Sequence, residues 1–427
     1  MVPEWRERRL GEITDNFDGI RIPVKETDRH RGRYPYYGAS GIVDYVEKYL
    51  FDGEYLLIAE DGENLRTRNT PVAFLAKGKF WVNNHAHIVR GNIEADTRFL
   101  MYVLSTKDIS GYLTGSTMPK LTQANMNQIP VLAPPVSEQR AIAYILGALD
   151  DKIELNRKMN ATFEAMARAI FKSWFLDFEP VRVRMEGRQS IGMNAETTAL
   201  FPENFEDSAF GKIPKGWTVN KLGDILLVIE TGYRPPGGVR NVFHGVPSIG
   251  AESIVGLGQF DYGKTKFVPR DFFEAMKRGH VAEGDVLLYK DGGRPGEFEP
   301  HLSMSGKNFP FTQCCINEHV YRLRANPRCS QNYLFFWLSS ELIMEEMRNR
   351  GTGVAVPGLN STAVRDLPIL LPSDSLMQTF EKRIAPLINR IFTKCNESRI
   401  LAAIRDALLP KLLSGEIRVK EAQQLTC

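Results

Sequence analysis

Residues 137–175 decide the fold, and they read SEQRAIAYILGALDDKIELNRKMNATFEAMARAIFKSWF. Seam positions in this stretch advance by four and three residues in turn from Ile142 to Trp174, which is the 3.5-residue period of a coiled coil. Pro134-Pro135 stops the preceding chain, and Ser137 fits the N-cap position. The sequence therefore predicts one long helix whose apolar seam must pack against another helix.

A second stretch with the same seam follows Pro372, and its positions lie 238 residues further on. The seam residues that we expect at the helix interface are Ile142, Leu146, Leu149, Ile153, Phe163, Ile170 and Trp174, and then Phe380, Ile384, Leu387, Ile391, Leu401, Leu408 and Leu412. Polar residues interrupt both seams near mid-helix: Asn156 and Asn160 in the first, Lys394 and Ser398 in the second. Antiparallel pairing would place polar opposite polar and fix the register at some cost in stability. A parallel seam between two copies of the chain is the alternative.

The remainder of the chain also occurs twice, at a very long period. Leu10-Gly11-Glu12-Ile13 returns as Leu222-Gly223-Asp224-Ile225 at an offset of 212, Gly53 to Leu57 matches Gly284 to Leu288 at 231, Asn83-Asn84-His85 matches Asn317-Glu318-His319 at 234, and Gly115 to Leu121 matches Gly353 to Leu359 at 238. The order of these matches never changes. The sequence therefore indicates one fold present twice, with insertions in the second copy, the largest of them between Val255 and Gly284.

Each copy has a globular part and a helical part. The globular parts contain short β-type runs, such as Glu54 to Ala59 and Asp285 to Tyr289, separated by Gly, Pro and Asn. The predicted fold class is α+β, with two repeated mixed α/β globules joined by two long helices that form an antiparallel coiled coil. The expected division is 1–136 for the first globule, 137–180 for the central helix, 181–213 for a linker, 214–372 for the second globule, 373–417 for the C-terminal helix and 418–427 for a tail.

Composition excludes several classes of protein. With 427 residues, of which 43% are hydrophobic and 25% charged, the chain is long enough for two or three folded domains. The longest apolar runs fall short of a membrane span, and no secretion signal is recognisable, so we expect a cytoplasmic protein that does not bind membranes. Lys plus Arg balances Asp plus Glu at 17 to 17 over residues 1–136 and 17 to 16 over residues 217–372. Any site for a polyanion must therefore be a local patch.

One stretch matches the phosphate-binding P-loop pattern letter for letter. Gly258 to Thr265 fits G-x-x-x-x-G-K-[ST], but a P-loop needs a helix directly after it, and Pro269 lies one turn into where that helix would run. The match also lies within the insertion that the first copy lacks. An ATP-binding enzyme is therefore an alternative that this pattern supports poorly.

Searches for catalytic motifs find no methyltransferase, nuclease, zinc-protease or serine-hydrolase pattern. His85 and His319 occupy equivalent positions, but neither has a Cys, His or carboxylate at ligand spacing, so we interpret them as structural or hydrogen-bonding residues. No catalytic residue, metal site or cofactor is predicted.

Basic and aromatic residues cluster in corresponding loops of both globules. The candidate DNA-binding residues are Arg29, Arg31, Arg33, Tyr36, Tyr37, Ser40, Arg66, Arg68 and Lys120 in the first globule, and Arg234, Arg240, Glu252, Lys290 and Arg294 in the second. Arg and Lys suit phosphate oxygens and the guanine edge, and the polar residues supply further contacts to bases. Each residue taken alone fits a solvated surface charge better, so the clusters as sets are the stronger evidence for DNA binding.

With both copies described, the sequence resembles the specificity subunits of type I restriction-modification enzymes over nearly the whole chain. The motifs that carry this resemblance are PPVSEQRAI at 134–142, FKSWF at 171–175, DFEPV at 177–181 and LLPKLLSGEI at 408–417. The sequence departs from the pattern at the start of the second helix, where Ser375-Leu376-Met377-Gln378 stands without Glu-Gln-Arg.

The resemblance implies a non-catalytic protein that binds double-stranded DNA. Each globule would be a target-recognition domain for one half of a bipartite asymmetric site, and the helices would set the gap. Methylation and restriction subunits, which carry out adenine methylation and ATP-dependent cleavage, would be the partners. A coiled-coil adaptor that never touches DNA is the alternative from another class.

Overall fold

The structure is a computed structural model, and it describes residues 5–188, 192–294, 296–351, 353 and 357–419. It divides into two compact units. The first comprises residues 1–153 and 400–427, and the second comprises residues 154–399. Each long helix therefore contributes one part to each unit.

In the first globule and the segment after it, the elements follow the chain as an alternation of short strands and helices. They are β1 Arg6–Arg9, β2 Thr14–Asn16, β3 Arg31–Gly38, β4 Gly41–Val46, β5 Phe51–Ala59, α1 Asn64–Thr67, β6 Ala73–Val82, β7 Ala86–Gly91, α2 Thr97–Thr106, α3 Gln123–Asn127, β8 Pro130–Ala133, α4 Val136–Phe175, α5 Glu179–Met185 and α6 Ala195–Ala199.

The second globule has more and shorter strands. Its elements, with the last helix, are β9 Phe205–Ser208, β10 Gly211–Pro214, β11 Thr218–Lys221, β12 Leu226–Thr231, β13 Val246–Ile249, β14 Lys266–Val268, α7 Arg270–Ala275, β15 Val286–Tyr289, β16 Gly293–Arg294, β17 Glu297–Phe298, β18 Leu302–Met304, β19 Cys315–Ile316, β20 Val320–Ala325, α8 Gln331–Leu338, α9 Glu341–Arg350, α10 Ser361–Arg365, β21 Pro368–Leu371 and α11 Asp374–Ser414.

The main sheet of the first globule has the order β2-β7-β5-β6-β3-β4. Successive residues of a strand point to opposite faces, and both faces of β5 are covered. Leu56 and Ile58 belong to the core that α2 closes, whereas Leu57 belongs to a separate cluster on the other face with Phe80 and Ile88. This double burial explains why the sequence runs apolar from Leu56 to Ala59 instead of alternating.

The second globule repeats the pairing register of the first. Thr14 pairs with Gly91 and Leu226 with Ala325, at offsets of 212 and 234. The β3 and β6 pair is parallel, with Tyr37 opposite Val82, and its counterpart places Ile249 opposite Ile316. The internal repeat is therefore a repeat of three-dimensional structure.

Sheet register corrects the sequence alignment at one place. Leu57 lies opposite Ile88, and Leu287 lies opposite Arg322, so the offset at this strand is 230 and not the 231 inferred from Gly53 and Gly284. Gly53 and Gly284 misled the alignment because each glycine adopts a positive φ in a turn or kink and marks no fixed strand position.

The two long helices run antiparallel in both units, which confirms the predicted fold class. In the first unit, Arg405 of α11 donates to Asp150 of α4 at 2.7 Å. In the second unit, Asn156 donates to Ser398 Oγ at 3.2 Å, and Asn160 to Cys395 Sγ at 3.3 Å. As the residue number rises along α4, the number of its partner falls along α11. These contacts therefore exclude a parallel pairing of α4 with α11.

One seam partner was predicted wrongly. Lys394 does not lie opposite the asparagines but extends to Glu397 at 2.6 Å, one turn along its own helix. Cys395 lies opposite Asn160 instead. A small thiol fits within this buried polar contact, whereas the long charged side chain of lysine extends toward solvent.

Every predicted seam residue is buried or half-buried, but the buried surface is wider than one seam. Phe171, Ile388 and Phe392 lie off the predicted seam and are also buried. The reason is that each helix packs against a globule as well as against the other helix: Leu146 and Leu412 share a core with the sheet of the first globule.

Gln139 explains the motif that opens α4. Its buried amide accepts a hydrogen bond from Asp96 N at 2.9 Å and donates to the carbonyls of Glu94 and Pro134 at 3.0 and 2.8 Å. At the equivalent position α11 carries Met377, which is buried among apolar side chains. At the start of α11, the departure from Glu-Gln-Arg therefore replaces the hydrogen bonds of Gln139 with the apolar packing of Met377.

Candidate nucleic-acid interface

Three loops meet where strand β5 ends and strand β7 begins in the first globule. The loop after β5 carries Asp61-Gly62, the turn from β6 to β7 is Asn83-Asn84-His85, and the third loop contains Pro119. Gly62 N donates to Pro119 O at 3.1 Å, and Glu60 N donates to His85 O at 2.9 Å. These backbone contacts hold the loops together before any side chain is considered.

A histidine and an aspartate join the loops through their side chains. His85 Nδ1 lies 2.9 Å from Asp61 Oδ2, and His85 N donates to Asn83 Oδ1 at 2.8 Å. The His85 side chain is 51% exposed, so the far side of its ring faces outward. We call Asp61, Asn83 and His85 the first Asp-His site.

The same arrangement recurs in the second globule. His319 Nδ1 lies 3.0 Å from Asp291 Oδ2, His319 N donates to Asn317 Oδ1 at 2.9 Å, and Gly292 N donates to Pro357 O at 2.8 Å. The His319 side chain is 41% exposed. Asp291, Asn317 and His319 form the second Asp-His site.

Sequence reasoning noticed both histidines and missed their partners. The carboxylates lie 24 and 28 residues away along the chain, outside any local ligand spacing. A usable signal existed, because Asp61-Gly62 and Asp291-Gly292 recur at the offset of 230 that the strand register fixes.

Two predicted residues flank the first site. Lys120 is exposed and reaches Glu60 at 3.2 Å, next to Asp61. Arg66 is 43% exposed and donates to Gly115 O at 3.1 Å, on the same loop as Lys120. Ser40 is exposed in the turn after β3, whose last residue, Gly38, lies close to Asn83. These three side chains lie on the side of the globule that carries the Asp-His site.

The other predicted arginines lie at the opposite end of β3. Arg31 and Arg33 are exposed at its start, about 20 Å from its last residue at roughly 3.3 Å per residue. Arg29 donates to Val24 O at 3.1 Å and covers the ring of Tyr36 at 4.6 Å. The sequence cluster is thus divided between two places in space.

Three predicted contact residues are corrected by their surroundings. Tyr36 is 1% exposed, and its hydroxyl lies 3.0 Å from the Val24 N–H that donates to it, so it supports the fold from inside. Tyr37 packs on Phe80, and burial raises the pKa of its phenol. Arg68 donates to Leu104 O at 2.8 Å, capping the end of α2, where a cation is favoured.

In the second globule, two of the predicted cations, Arg234 and Arg240, border a cavity of about 340 Å³. Arg234, Arg240 and Lys266 line it, together with Tyr233 and Asn317. Arg234 is 52% exposed and pairs with Glu318 at 2.5 Å. The cavity is therefore basic and adjoins the second Asp-His site through Asn317.

Two lysines at or near this cavity form ion pairs with neighbouring carboxylates. Lys266 pairs with Glu252 at 2.5 Å; burial alone would raise the pKa of Glu252, but this ion pair holds it below its ordinary value. Lys290 is mostly buried and reaches Asp291 Oδ1 at 2.6 Å. The side chain of Arg294 lies outside the described part of the structure.

The P-loop alternative is contradicted by local structure. Tyr262 to Lys264 form a single 3₁₀ turn, and strand β14 follows where a P-loop requires a helix. The Lys264 side chain pairs with Asp261 at 3.1 Å. Within the described ranges, no group of three or more metal-ligating side chains comes together, and no helix there is long and apolar enough to cross a bilayer.

Comparison with known proteins finds similar sequences along nearly the whole chain. Residues 3–165 match the family model for the type I restriction modification DNA specificity domain. The MjaIX specificity subunit, a type I restriction enzyme subunit of Methanocaldococcus jannaschii, is 26% identical over 98% of this chain and 94% of that protein. A putative type I specificity subunit of Haemophilus influenzae is 43% identical over 34% of this chain and 37% of that protein.

A solved structure shares the fold. The crystal structure of the S subunit of a type I restriction-modification system from M. genitalium superposes with a TM-score of 0.60 at 15% identity, covering 96% of this chain and 99% of that one. The chain is thus similar to type I restriction enzyme specificity subunits along nearly its full length, and it shares the fold of one solved S subunit.

Proposed function

We propose that this chain is the DNA-reading subunit of a type I restriction-modification complex. Each globule reads one half of a bipartite asymmetric site in double-stranded DNA, and α4 and α11 set the gap between the halves. The helices also carry the methylation subunits, and the restriction subunits join that assembly. Methyl transfer and ATP-dependent cleavage belong to those partners, and this chain requires no cofactor.

One observation carries the proposal. The same scaffold occurs twice, and each copy holds an equivalent set of loops with polar and charged side chains at the same sheet end. A protein that reads two DNA segments needs two such surfaces. Among the predicted residues, Ser40, Arg66 and Lys120 in the first globule and Arg234 and Arg240 in the second are the exposed ones that best fit this role.

The division implied by this function assigns target recognition to residues 1–136 and 214–372 and the spacer to 137–180 and 373–417. Residues 181–213 would connect them, and of the tail expected at 418–427 only residues 418 and 419 lie within the described part of the chain. We also propose a cytoplasmic location, because the DNA that such a complex would read lies there.

Exchanging one globule tests the recognition role. Residues 1–136 are replaced by the first globule of another family member, the chain is assembled with its methylation subunits, and methylated bases are mapped across a genome. Only one half of the methylated sequence should change, because each globule has its own core. Change in both halves, or in neither, would contradict independent recognition. A coiled-coil adaptor would give no sequence-specific methylation pattern that follows the exchange.

Lengthening both helices tests the spacer role. Seven residues inserted after Ile153 and seven before Ile400 preserve the heptad phase and add about 10 Å to the pair at 1.5 Å per residue. That length corresponds to about three base pairs at 3.4 Å each. The gap in the methylated sites should grow by this amount while both half-sequences persist. An unchanged gap, or altered half-sequences, would contradict it; insertion into one helix alone is the control that should abolish assembly.

A further inference from the structure

We propose that each Asp-His site binds a phosphate group of the DNA backbone through the outward nitrogen of its histidine, Nε2 of His85 in the first globule and Nε2 of His319 in the second. The inference rests on the proposed function and names a contact within it. Both rings are about half exposed, and both have the inner nitrogen, Nδ1, committed to a carboxylate.

Chemistry assigns a role to the aspartates. A ring protonated on both nitrogens donates one N–H to the carboxylate and presents the other to an acceptor outside. Asp61 and Asp291 orient the ring and stabilise its positive charge, as a carboxylate behind a histidine does elsewhere. A phosphate oxygen is the acceptor that gains most from such a donor, because the hydrogen bond is charge-assisted.

Recurrence identifies phosphate in preference to a base. Two globules that read different half-sequences cannot share the residues that discriminate between bases, but they can share contacts to the backbone, which carries no sequence information. The neighbours of the site do differ between the globules: Glu60, Asn84 and Lys120 in the first correspond to Lys290, Glu318 and Gly358 in the second. We infer that the shared part positions the DNA and that the variable neighbours discriminate between bases.

Charges around the two sites are unequal. Lys120 and Glu60 lie beside Asp61 in the first site, and Arg21 bonds to Glu60 at 2.6 Å and reaches the Asn84 carbonyl at 3.5 Å. In the second, His319 Nε2 lies 3.4 Å from Arg234 Nη2 and 3.3 Å from Glu318 Oε1, while Lys290 pairs with Asp291. The Glu318 carboxylate thus occupies space where a phosphate would bind, and it must turn away when DNA arrives.

Matched substitutions separate contact from scaffold. H85N and H319N keep a nitrogen near the position of Nδ1 for the aspartate and lose Nε2, whereas H85Q and H319Q keep a neutral donor that reaches outward. Binding of the assembled methyltransferase to DNA with and without its site is measured over a range of salt concentrations. His30, exposed just before β3 at the far end from the site, supplies the control H30N.

We expect H85N to weaken binding to both DNAs about tenfold and to reduce the dependence of log affinity on log salt by about one ion. H319N should act likewise, the Gln variants should lie between Asn and wild type, and H30N should change nothing.

A gain-of-affinity variant covers the case in which the histidine variants fold poorly. E318N places the residue of the first globule in the second site, and we expect affinity to rise about threefold as repulsion is removed. Unchanged affinity and salt dependence in folded H85N and H319N, or no gain in E318N, would overturn the phosphate contact. A changed base preference with unchanged salt dependence would also overturn it, in favour of base reading. Failure of the wild-type complex to prefer its own site would instead overturn the proposed function.

Discussion

Arg21 and Arg234 occupy equivalent places in the two globules and have different surroundings. The offset between them is 213, because a β-bulge between Leu226 and Val228 adds one residue to β12. Arg21 is 14% exposed and bonds to Glu60 at 2.6 Å and to Ala86 O at 2.8 Å. Arg234 is 52% exposed at the edge of a basic cavity.

The difference in exposure comes from the residues that surround each arginine. In the first globule, Asp18 is nearly buried and lies 2.6 Å from His87 Nδ1, and Arg21 joins this network at 3.4 Å from the same carboxylate. Register places Thr231 and Tyr321 at the corresponding positions of the second globule, where no buried carboxylate can hold the arginine inward. The sheet register is thus repeated, but Asp18–Ile20 form a short 3₁₀ helix where the second globule continues strand β12 to Thr231, and the equivalent arginine changes from support to surface.

The largest expected effect is on stability, and it should differ between these arginines. Arg21→Ala leaves Glu60 and Asp18 with fewer partners in a half-buried network, which should cost about 3 kcal/mol of unfolding free energy. Arg234→Ala removes an exposed ion pair and should cost less than about 1 kcal/mol. Urea unfolding of the full-length variants measures both.

DNA binding should show the reverse order. Once folded, Arg21→Ala should bind DNA nearly as wild type does, whereas Arg234→Ala should weaken binding and lower its salt dependence. If the two variants lost similar amounts of unfolding free energy, the different burial of Arg21 and Arg234 would not determine their contribution to stability.

A smaller effect concerns acid stability, which the first globule alone should show through Asp18. Burial by itself would raise the pKa of Asp18, but the hydrogen bond and charge of His87, the N–H of Ile88 and the charge of Arg21 lower it overall. A carboxyl whose folded pKa is depressed contributes stability above its unfolded pKa, near 3.8, and loses it as pH falls through the folded value. Wild type should therefore lose stability in acid through this group.

Asp18→Asn isolates this contribution. The variant should be less stable than wild type near neutral pH, and the difference should shrink as pH falls below the unfolded pKa near 3.8, measured by urea unfolding. The second globule has Thr231 at this position, so Thr231→Ala serves as the control with no such pH dependence. A difference that stays constant with pH would rule out the titration of Asp18 as its source.

Much of the architecture could be predicted from sequence because it depends on local periodicity. Helix α4 begins at Val136 and α11 at Asp374, close to the proline stops that predicted them. Asn156 pairs with Ser398 as the polar interruptions of the two seams indicated. Prediction erred at Lys394, where side-chain length and access to solvent decided against a seam contact.

The candidate site was less accessible to sequence reasoning. Arg29, Arg31 and Arg33 are neighbours of Ser40 in the chain, yet they lie at the other end of a strand. Tyr36 is buried because the pairing register of β3 turns its side chain inward, and a shift of one residue would have turned it outward. A basic cluster in sequence therefore gave a poor estimate of a basic surface.

By itself, the sequence determined that one fold is present twice, that each copy ends in a long helix, and that the helices pair through seams with polar centres. These features repeat at regular intervals along the chain, so they can be read without knowing contacts. Only the tertiary structure decided that Asp61 meets His85, that Asp291 meets His319, and that Arg21 is mostly buried in one globule while the equivalent Arg234 is exposed in the other. Those outcomes depend on strand register and on which distant loops converge, because partners 24 or 28 residues apart become neighbours only when the sheet is assembled.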